Sequence, residues 1–203
     1  MRLHPLEDYQ VEADHIDSIL YTPEEIEARV WELGAKISAD YADLSQRGER
    51  LVLVGLLRGV IIFMADLLRA ITIPVEVEFM DINQYASESK YGGTLNLATD
   101  MHTDIEGRHV LFVEDVIDKG LTLNHLLRNL RARRPASLKV CTMFDKPARR
   151  LIDIPITYIG FELPDKFVVG YGLDYHEQYR NLPFLALLKP EVFEEDVLLV
   201  VRT

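Results

Sequence analysis

The sequence is poor in cysteine. Its 203 residues contain one, Cys141, so an intrachain disulfide and a cysteine-rich metal site are both excluded. Cys141 lies within the apolar run 138–144, which is typical of a buried structural thiol. The six histidines show no metal-ligand spacing, and none is placed like a catalytic base. Neither residue type indicates a metal centre.

Positive charge is also scarce. The chain has 22 lysines and arginines against 33 aspartates and glutamates, a formal net charge of -11. An electric field of this sign repels nucleic acid and anionic membranes. We therefore expect no nucleic-acid or membrane partner, and any phosphate group must be bound by local contacts.

Long apolar runs are missing as well. No stretch approaches the roughly 18 apolar residues that a membrane-spanning helix requires. The first fifteen residues lack both the apolar core and the positive cluster of a signal peptide. These absences favour a soluble, cytoplasmic protein.

Apolar strand patterns alternate with helical ones along the chain. Thr22, Pro23 and Glu25 have the spacing of a helix capping box, and apolar residues at helical spacing follow. The runs LVLVGLL (51–57), VEVEFMDI (75–82) and HVLFVEDV (109–116) indicate strands, with helical stretches between or after them. The pattern predicts a single α/β domain with a twisted, mainly parallel sheet flanked by helices.

Acidic residues end the strand at 109–116. Glu114 and Asp115 follow four apolar residues, and Asp118 precedes a Lys-Gly-Leu-Thr turn that leads into a helix. Backbone N–H groups around Gly120, the Thr122 hydroxyl and the positive end of the helix dipole can bind a phosphate. The position is that of a ligand crevice, at the carboxyl end of a parallel strand.

The carboxylates restrict the kind of ligand. Two like charges 4 Å apart repel by about 4 kcal/mol at an effective dielectric constant of 20, so a bare phosphate is disfavoured here. Carboxylates accept hydrogen bonds from hydroxyls and coordinate magnesium. The residues therefore predict a phosphorylated ribose, bound with Mg²⁺.

Two segments carry a family resemblance. VEDVIDKGLTL (113–123) resembles the phosphoribosyl diphosphate signature of type I phosphoribosyltransferases. PDKFVVGYGLDYHEQYRNLPFLALLKPEVF (164–193) resembles the corresponding stretch of hypoxanthine-guanine phosphoribosyltransferases. The resemblance implies one phosphoribosyltransferase domain over residues 1–203. It also implies a small hood subdomain, formed largely by residues 164–203 with a possible N-terminal contribution, and a site between sheet edge and hood.

The resemblance also implies residue roles around the sugar. Glu114 and Asp115 would hold the ribose hydroxyls, directly or through magnesium. Asp118 would face the purine N7 and act as general base. The 5-phosphate would be held by the loop Lys119, Gly120, Leu121 and Thr122.

Further implied contacts concern the base and the diphosphate. Leu57, Arg58 and Gly59 match the diphosphate-binding turn, in which the family has a non-proline cis peptide. Lys146 would contact the purine 6-oxo group, which favours oxopurines because an ammonium only donates hydrogen bonds. The remaining roles are base stacking for Phe167, a backbone contact to the base for Val168, magnesium binding for Asp174 and diphosphate binding for Arg180.

Two lysines depart from the family pattern. Lys90 stands where the mobile loop has a serine before Tyr91, whose loop would cover the reacting centre. Lys119 stands where the phosphate loop has threonine or serine. Both changes add positive charge near phosphates, but a lysine cannot replace a hydroxyl as hydrogen-bond acceptor.

The expected activity is purine salvage. The 5-phosphoribosyl group would pass from phosphoribosyl diphosphate to N9 of hypoxanthine or guanine, giving IMP or GMP and diphosphate. A preference for xanthine as the acceptor base stays open. So does a non-catalytic protein that senses phosphoribosyl diphosphate. Such a sensor should carry a nucleic-acid surface, and RARR (131–134) is a small basic cluster of that kind. The resemblance suggests a homodimer or homotetramer.

Overall fold

The computed structural model describes residues 8–9, 15–82 and 97–193. They divide into two compact units. Unit 1 contains the described residues of Met1–Ala28 and Asp165–Thr203, and unit 2 is built from Arg29–Pro164. Among the helices in the described ranges, none combines the length and apolarity needed to cross a membrane.

The elements follow one another largely as the sequence patterns predict. In chain order they are β1 Ile16–Tyr21, α1 Pro23–Asp40, α2 Ala42–Gln46, β2 Leu51–Leu56, α3 Ile61–Ala70, β3 Val75–Ile82, β4 Leu97–Thr99, β5 His109–Ile117, α4 Leu121–Ala132, β6 Ser137–Asp145, a short 3-10 helix Pro147–Arg149, β7 Tyr158–Glu162, β8 Val168–Val169 and β9 Leu185–Leu188. β1 and β4 were not predicted.

Unit 2 contains a six-stranded sheet in the order β4-β3-β2-β5-β6-β7. β4 pairs antiparallel with β3, and the other five strands are parallel. The prediction of a twisted, mainly parallel sheet flanked by helices is confirmed. Because parallel strands end at one edge, the carboxyl ends of β2, β5 and β6 lie side by side.

The central strands are buried on both faces. Val52, Val54, Val110 and Phe112 belong to one apolar cluster that also takes in the buried side chains of α4, Leu123, Leu126, Leu127 and Leu130. Strands covered on both faces are typical of parallel sheets, in which crossover helices pack on each side. This rigid core fixes the end of β5, where the predicted site begins.

The capping box at the start of α1 has formed. The Glu25 N–H donates to the Thr22 Oγ1 at 3.3 Å, and the Thr22 N–H donates to Glu25 Oε2 at 2.8 Å. Apolar residues at helical spacing from Ile26 onward are buried, including Val30, Leu33 and Ile37. The sequence prediction of a long amphipathic helix is confirmed.

Unit 1 contains a separate three-stranded antiparallel sheet in the order β1-β9-β8. β1 pairs with β9, and β9 pairs with β8. Its core includes Val169, Phe184 and Ala186, against which Phe167 packs. N-terminal and C-terminal segments of the chain therefore share one sheet.

Gly34 marks a close approach between α1 and the end of α3. A Cβ atom on Gly34 would lie 2.5 Å from the Cβ and 2.6 Å from the carbonyl oxygen of Ala70. One turn later, the Ser38 hydroxyl donates to the Gly34 carbonyl at 2.7 Å and accepts from the Thr72 N–H at 3.0 Å. The helix surface is thus tied to the chain that leaves α3.

We expect Gly34→Ala to destabilise the protein. Alanine favours a helix by about 1 kcal/mol over glycine, but the added methyl group overlaps Ala70, and overpacking of this kind costs roughly 1–3 kcal/mol. Urea unfolding measures the difference. Ala35→Gly, at the neighbouring exposed position, reports the helix-propensity contribution by itself. A Gly34→Ala protein more stable than wild type would contradict the close packing.

Candidate active site

The turn after β2 lies against the carboxylate of Asp115. A Cβ atom on Gly59 would stand 1.7 Å from Asp115 Oδ2. That distance is far inside van der Waals contact, so any side chain at position 59 would displace the Asp115 carboxylate. The Leu57–Arg58 peptide that begins this turn is cis. The predicted diphosphate turn and the predicted ribose carboxylate therefore adjoin each other.

Glu114 holds a buried acceptor without a donor. Its Oε2 atom is buried, and within the described ranges no hydrogen bond reaches it. Burial, and secondly the charge of Asp115, raise the pKa of the Glu114 carboxyl well above its usual range. A hydroxyl donor or a cation would satisfy this oxygen and relieve the repulsion.

The donor set suits a hard divalent cation. Carboxylate oxygens are the ligands that magnesium prefers, and Mg²⁺ keeps several water or substrate oxygens in its shell. In the described part of the chain no group of three or more histidines, cysteines and acidic residues is arranged to hold a metal ion by itself. Glu114 and Asp115 fit a magnesium ion that also takes oxygens from a bound ligand.

The loop between β5 and α4 has the shape of an anion site. Gly120 is the residue that precedes α4, with φ of 80°, and no side chain caps the helix there. The first N–H groups of a helix lack intrahelical partners and attract negative charge. Thr122 is half-buried in the first turn, whereas Lys119 and Leu121 are exposed. The predicted phosphate loop is thus a helix N-terminus.

Asp118 lies at the start of this loop, facing the segment after β6. Its Oδ1 atom is 3.0 Å from the Nε of Arg149. Arg150 donates from Nε to the Asp118 carbonyl at 3.1 Å and forms an ion pair with Asp145. The sequence reasoning missed both arginines. The available signal was their position three and four residues after Lys146 in FDKPARR, in an otherwise acidic chain.

Lys146 connects the ends of two neighbouring strands. Its N–H donates to the Ile117 carbonyl at 3.0 Å, which joins the residue after β6 to the end of β5. The side chain is 6% exposed. A lysine this buried is uncommon and requires polar partners, in contrast to the ordinary surface lysine that the sequence alone also allowed.

The other predicted residues belong to unit 1 or lie outside the described ranges. Phe167 stacks on Phe193 with ring centroids 5.1 Å apart, and Val168 is buried in β8. Arg180 pairs with Asp174 at 2.8 Å and with Glu177 at 3.2 Å. Lys90 and Tyr91 fall in the stretch 83–96, outside the described residues.

A comparison with protein families matches residues 18–176 to the phosphoribosyl transferase domain. The chain belongs to the phosphoribosyltransferase family. The match covers most of the described chain, including the loop from Asp118 to Thr122. The resemblance seen in the two sequence segments is thereby confirmed.

Individual relatives support the same family. A hypoxanthine-guanine phosphoribosyltransferase of Mycobacterium avium is 45% identical over 192 residues, covering 94% of this chain and 95% of the relative. The Bacillus subtilis (strain 168) protein of that name is 44% identical, covering 88% and 97%. A solved hypoxanthine phosphoribosyltransferase of Staphylococcus aureus is 40% identical with a TM-score of 0.83, covering 92% and 98%.

We expect Glu114→Gln to stabilise the protein at neutral and alkaline pH. A glutamate ionises near pH 4.3 when unfolded, and its raised folded pKa makes the native state bind more protons. Stability is then fully present below the unfolded pKa and falls as pH rises towards the folded pKa. Glutamine removes this ionisation, so the variant should gain on wild type between pH 5 and pH 8.

Urea unfolding at both pH values measures this gain. Glu27→Gln, at an exposed position of α1, is the matched control and should show no comparable trend. A gain for Glu114→Gln that is equal at the two pH values would contradict the burial of an ionisable carboxyl at this position.

Proposed function

We propose that this protein transfers the 5-phosphoribosyl group from phosphoribosyl diphosphate to N9 of hypoxanthine or guanine, forming IMP or GMP and diphosphate. The observation that carries the proposal is the buried, donorless Oε2 of Glu114 beside Asp115, next to the helix N-terminus at Gly120. The carboxylates and the helix N-terminus together suit a ligand that has hydroxyls or a bound cation at one end and a phosphate at the other. Family membership and the names of the relatives support the same reaction.

The ribose 5-phosphate binds along the end of β5. Glu114 and Asp115 accept hydrogen bonds from the 2- and 3-hydroxyls, directly or through magnesium. The phosphate occupies the N-terminus of α4, where the N–H groups of Gly120, Leu121 and Thr122 and the Thr122 hydroxyl donate to it. Lys119 is exposed beside this loop and adds positive charge.

The purine binds between Asp118 and Lys146. The tautomer with hydrogen at N7 leaves the lone pair of N9 free to attack C1 of the ribose. As the N9–C1 bond forms, Asp118 accepts the N7 proton, and the C1–oxygen bond to diphosphate breaks with inversion at C1. Lys146 donates to the 6-oxo group, while Phe167 stacks on the ring and Val168 presents its backbone.

The proposed ligands of the diphosphate are the turn after β2 and the guanidinium of Arg180. Leu57, Arg58 and Gly59 present backbone N–H groups to it, and Arg180 pairs with its charge. The covering role of Lys90 and Tyr91 stays a prediction from the family resemblance, because both residues lie outside the described ranges. A single phosphoribosyltransferase domain over residues 1–203, with a hood subdomain formed largely by residues 164–203 and a possible N-terminal contribution, is part of this proposal.

Magnesium is the cofactor of the proposed reaction. Glu114 and Asp115 would hold one ion together with ligand oxygens, and Asp174 would hold a second. When bound, magnesium would supply positive charge to the leaving diphosphate. The residues of this chain orient the two reactants and hold the proton at Asp118.

The proposal extends to assembly and compartment. We infer a cytoplasmic homodimer or homotetramer. One solved relative, from Trypanosoma cruzi, is described in terms of the role of its C-terminal region in oligomeric state and activity, and it is 38% identical with a TM-score of 0.83. Exposed apolar side chains of unit 2, Trp31 at 53% and Ile61 at 49%, offer surface for such contacts.

A magnesium-dependent assay with phosphoribosyl diphosphate and four bases tests the proposal. We expect nucleotide formation with hypoxanthine and guanine but not with adenine, because the ammonium of Lys146 can donate to a 6-oxo group but cannot accept from a 6-amino group. Turnover with xanthine alone would identify a different acceptor. Binding of phosphoribosyl diphosphate without turnover of any base would contradict the proposed enzyme and favour a non-catalytic sensor.

Asp118→Asn tests the proton acceptor. Loss of a positioned general base commonly costs 10²- to 10⁴-fold in rate, so we expect kcat with hypoxanthine to fall by about 10²-fold or more. Binding of phosphoribosyl diphosphate should be retained, because its contacts lie elsewhere on the loop. Full turnover of Asp118→Asn across the pH range would show that the base lies elsewhere.

A further inference from the structure

Two adjacent arginines at the end of the 3-10 helix contact different parts of Asp118. Arg150 holds the main chain, since its Nε donates to the Asp118 carbonyl at 3.1 Å and its Nη2 to the Ile117 carbonyl at 3.4 Å. Its ion pair with Asp145 anchors it to the end of β6. Arg149 instead reaches the Asp118 side chain, with Nε 3.0 Å from Oδ1.

The two carboxylate oxygens of Asp118 lie in different environments. Oδ1 is buried and accepts no hydrogen bond within the described residues, so its contact with Arg149 is an ion pair. By contrast, 39% of the Asp118 side chain is exposed. The exposure of this side chain therefore belongs to its other atoms, Oδ2 among them. Arg149 lies at the buried oxygen and leaves the outward-facing oxygen open to a purine.

Building on the proposed function, we infer that Arg149 is a positioning residue that fixes Oδ1 of Asp118 so that Oδ2 faces the purine N7. A general base needs a third group that orients it, as in other sites where a base is held by a partner. Arg149 supplies that partner to Asp118. It comes from the same short segment as Lys146, the residue that precedes the 3-10 helix, so one segment contributes both to oxopurine recognition and to orientation of the general base.

The ion pair has little effect on folding. Arg149 is 38% exposed, and exposed pairs contribute little to stability because water screens them and ordering two side chains costs entropy. Orientation of a catalytic group is more sensitive, since a small misplacement at the reacting centre lowers the rate strongly. Removal of Arg149 should therefore alter the reaction with the base and leave the unfolding midpoint unchanged.

Arg149→Gln is compared with Arg108→Gln. The control pair Arg108–Glu76 has the same separation of 3.0 Å and similar exposure, 31% and 30%, but Arg108 precedes β5 at the opposite edge of the sheet. We expect about a tenfold loss in kcat/KM for hypoxanthine with Arg149→Gln, or ~1.4 kcal/mol of transition-state stabilisation. The KM for phosphoribosyl diphosphate should stay at the wild-type value, and Arg108→Gln should resemble wild type in every constant.

Arg149→Lys and a double-mutant cycle separate positioning from a general structural effect. Lysine keeps the charge but not the planar donor, so Arg149→Lys should recover part of the loss. In an Asp118→Asn background, Arg149→Gln should cause no further decrease, because the two residues act through one carboxylate. These two results, with an unchanged unfolding midpoint, are expected if Arg149 orients Asp118.

Several outcomes would overturn the inference. They are an Arg149→Gln enzyme with the constants of Arg108→Gln, an equal change in both substrates' KM values, or an additive loss in the Asp118→Asn background. Each leaves oxopurine turnover by the wild-type protein intact, so the proposed function survives them. A wild-type protein that turns over no base would remove the proposed function and this inference together.

Discussion

The site depends on the crowding of negative charge at one strand end. Glu114, Asp115 and Asp118 lie within residues 114–118, where a sheet buried on both faces meets a helix N-terminus. The charge of Asp115 acts on Glu114, and the low dielectric constant of the interior strengthens this repulsion. Each carboxylate is accommodated differently, and those differences give each its chemical role in the proposed reaction.

For Glu114 the accommodation is a raised pKa, caused by burial and by Asp115. Asp115 accepts a hydrogen bond at Oδ1 from the Val116 N–H at 2.8 Å, and its other oxygen lies against the backbone at Gly59. Asp118 has an arginine at its buried oxygen. A buried carboxyl without a donor is suited to a cation or a hydroxyl, and in the proposed reaction a carboxylate oriented by a partner is suited to proton transfer.

The sequence predicted those parts of the structure that depend on local pattern. The capping box at Thr22, the buried strand β5 and the Gly120 turn are each encoded by residues close together in the chain, and each formed as predicted. β1 was missed because IDSILY lacks strict alternation, and β4 because three residues carry too little signal. Both segments become strands because they pair with β9 and β3, respectively, each separate from its partner in the sequence.

The contacts of Asp118 could not be predicted for the same reason. Arg149 and Asp118 are 31 positions apart in sequence, and they meet only because β5 and β6 pair in register up to Ile117 and Asp145. The charge tally indicated an acidic chain that must bind phosphate locally. It did not indicate which arginines lie beside the site, since that depends on where the 3-10 helix folds back.

Unit 1 adds a second constraint, in the backbone that carries Asp174 and Arg180. Tyr171, Glu177 and Tyr179 have φ of 49°, 63° and 73°. These positive values lie in the left-handed region of backbone conformation, which costs a residue with a Cβ atom roughly 1–2 kcal/mol. Several hydrogen bonds hold the loop in this conformation. The Arg180 Nη1 donates to the Gly172 carbonyl at 2.9 Å, and the Tyr171 N–H donates to the Leu182 carbonyl at 2.8 Å.

Backbone strain of this kind is found mainly where a side chain must be held in one orientation. The ion pair of Arg180 with Asp174 keeps a cation and an anion together at 2.8 Å. In the proposed reaction Arg180 would pair with the diphosphate and Asp174 with magnesium. Within the described residues the buried Nε of Arg180 has no hydrogen-bond partner, so the ion pair leaves one donor of the guanidinium unused.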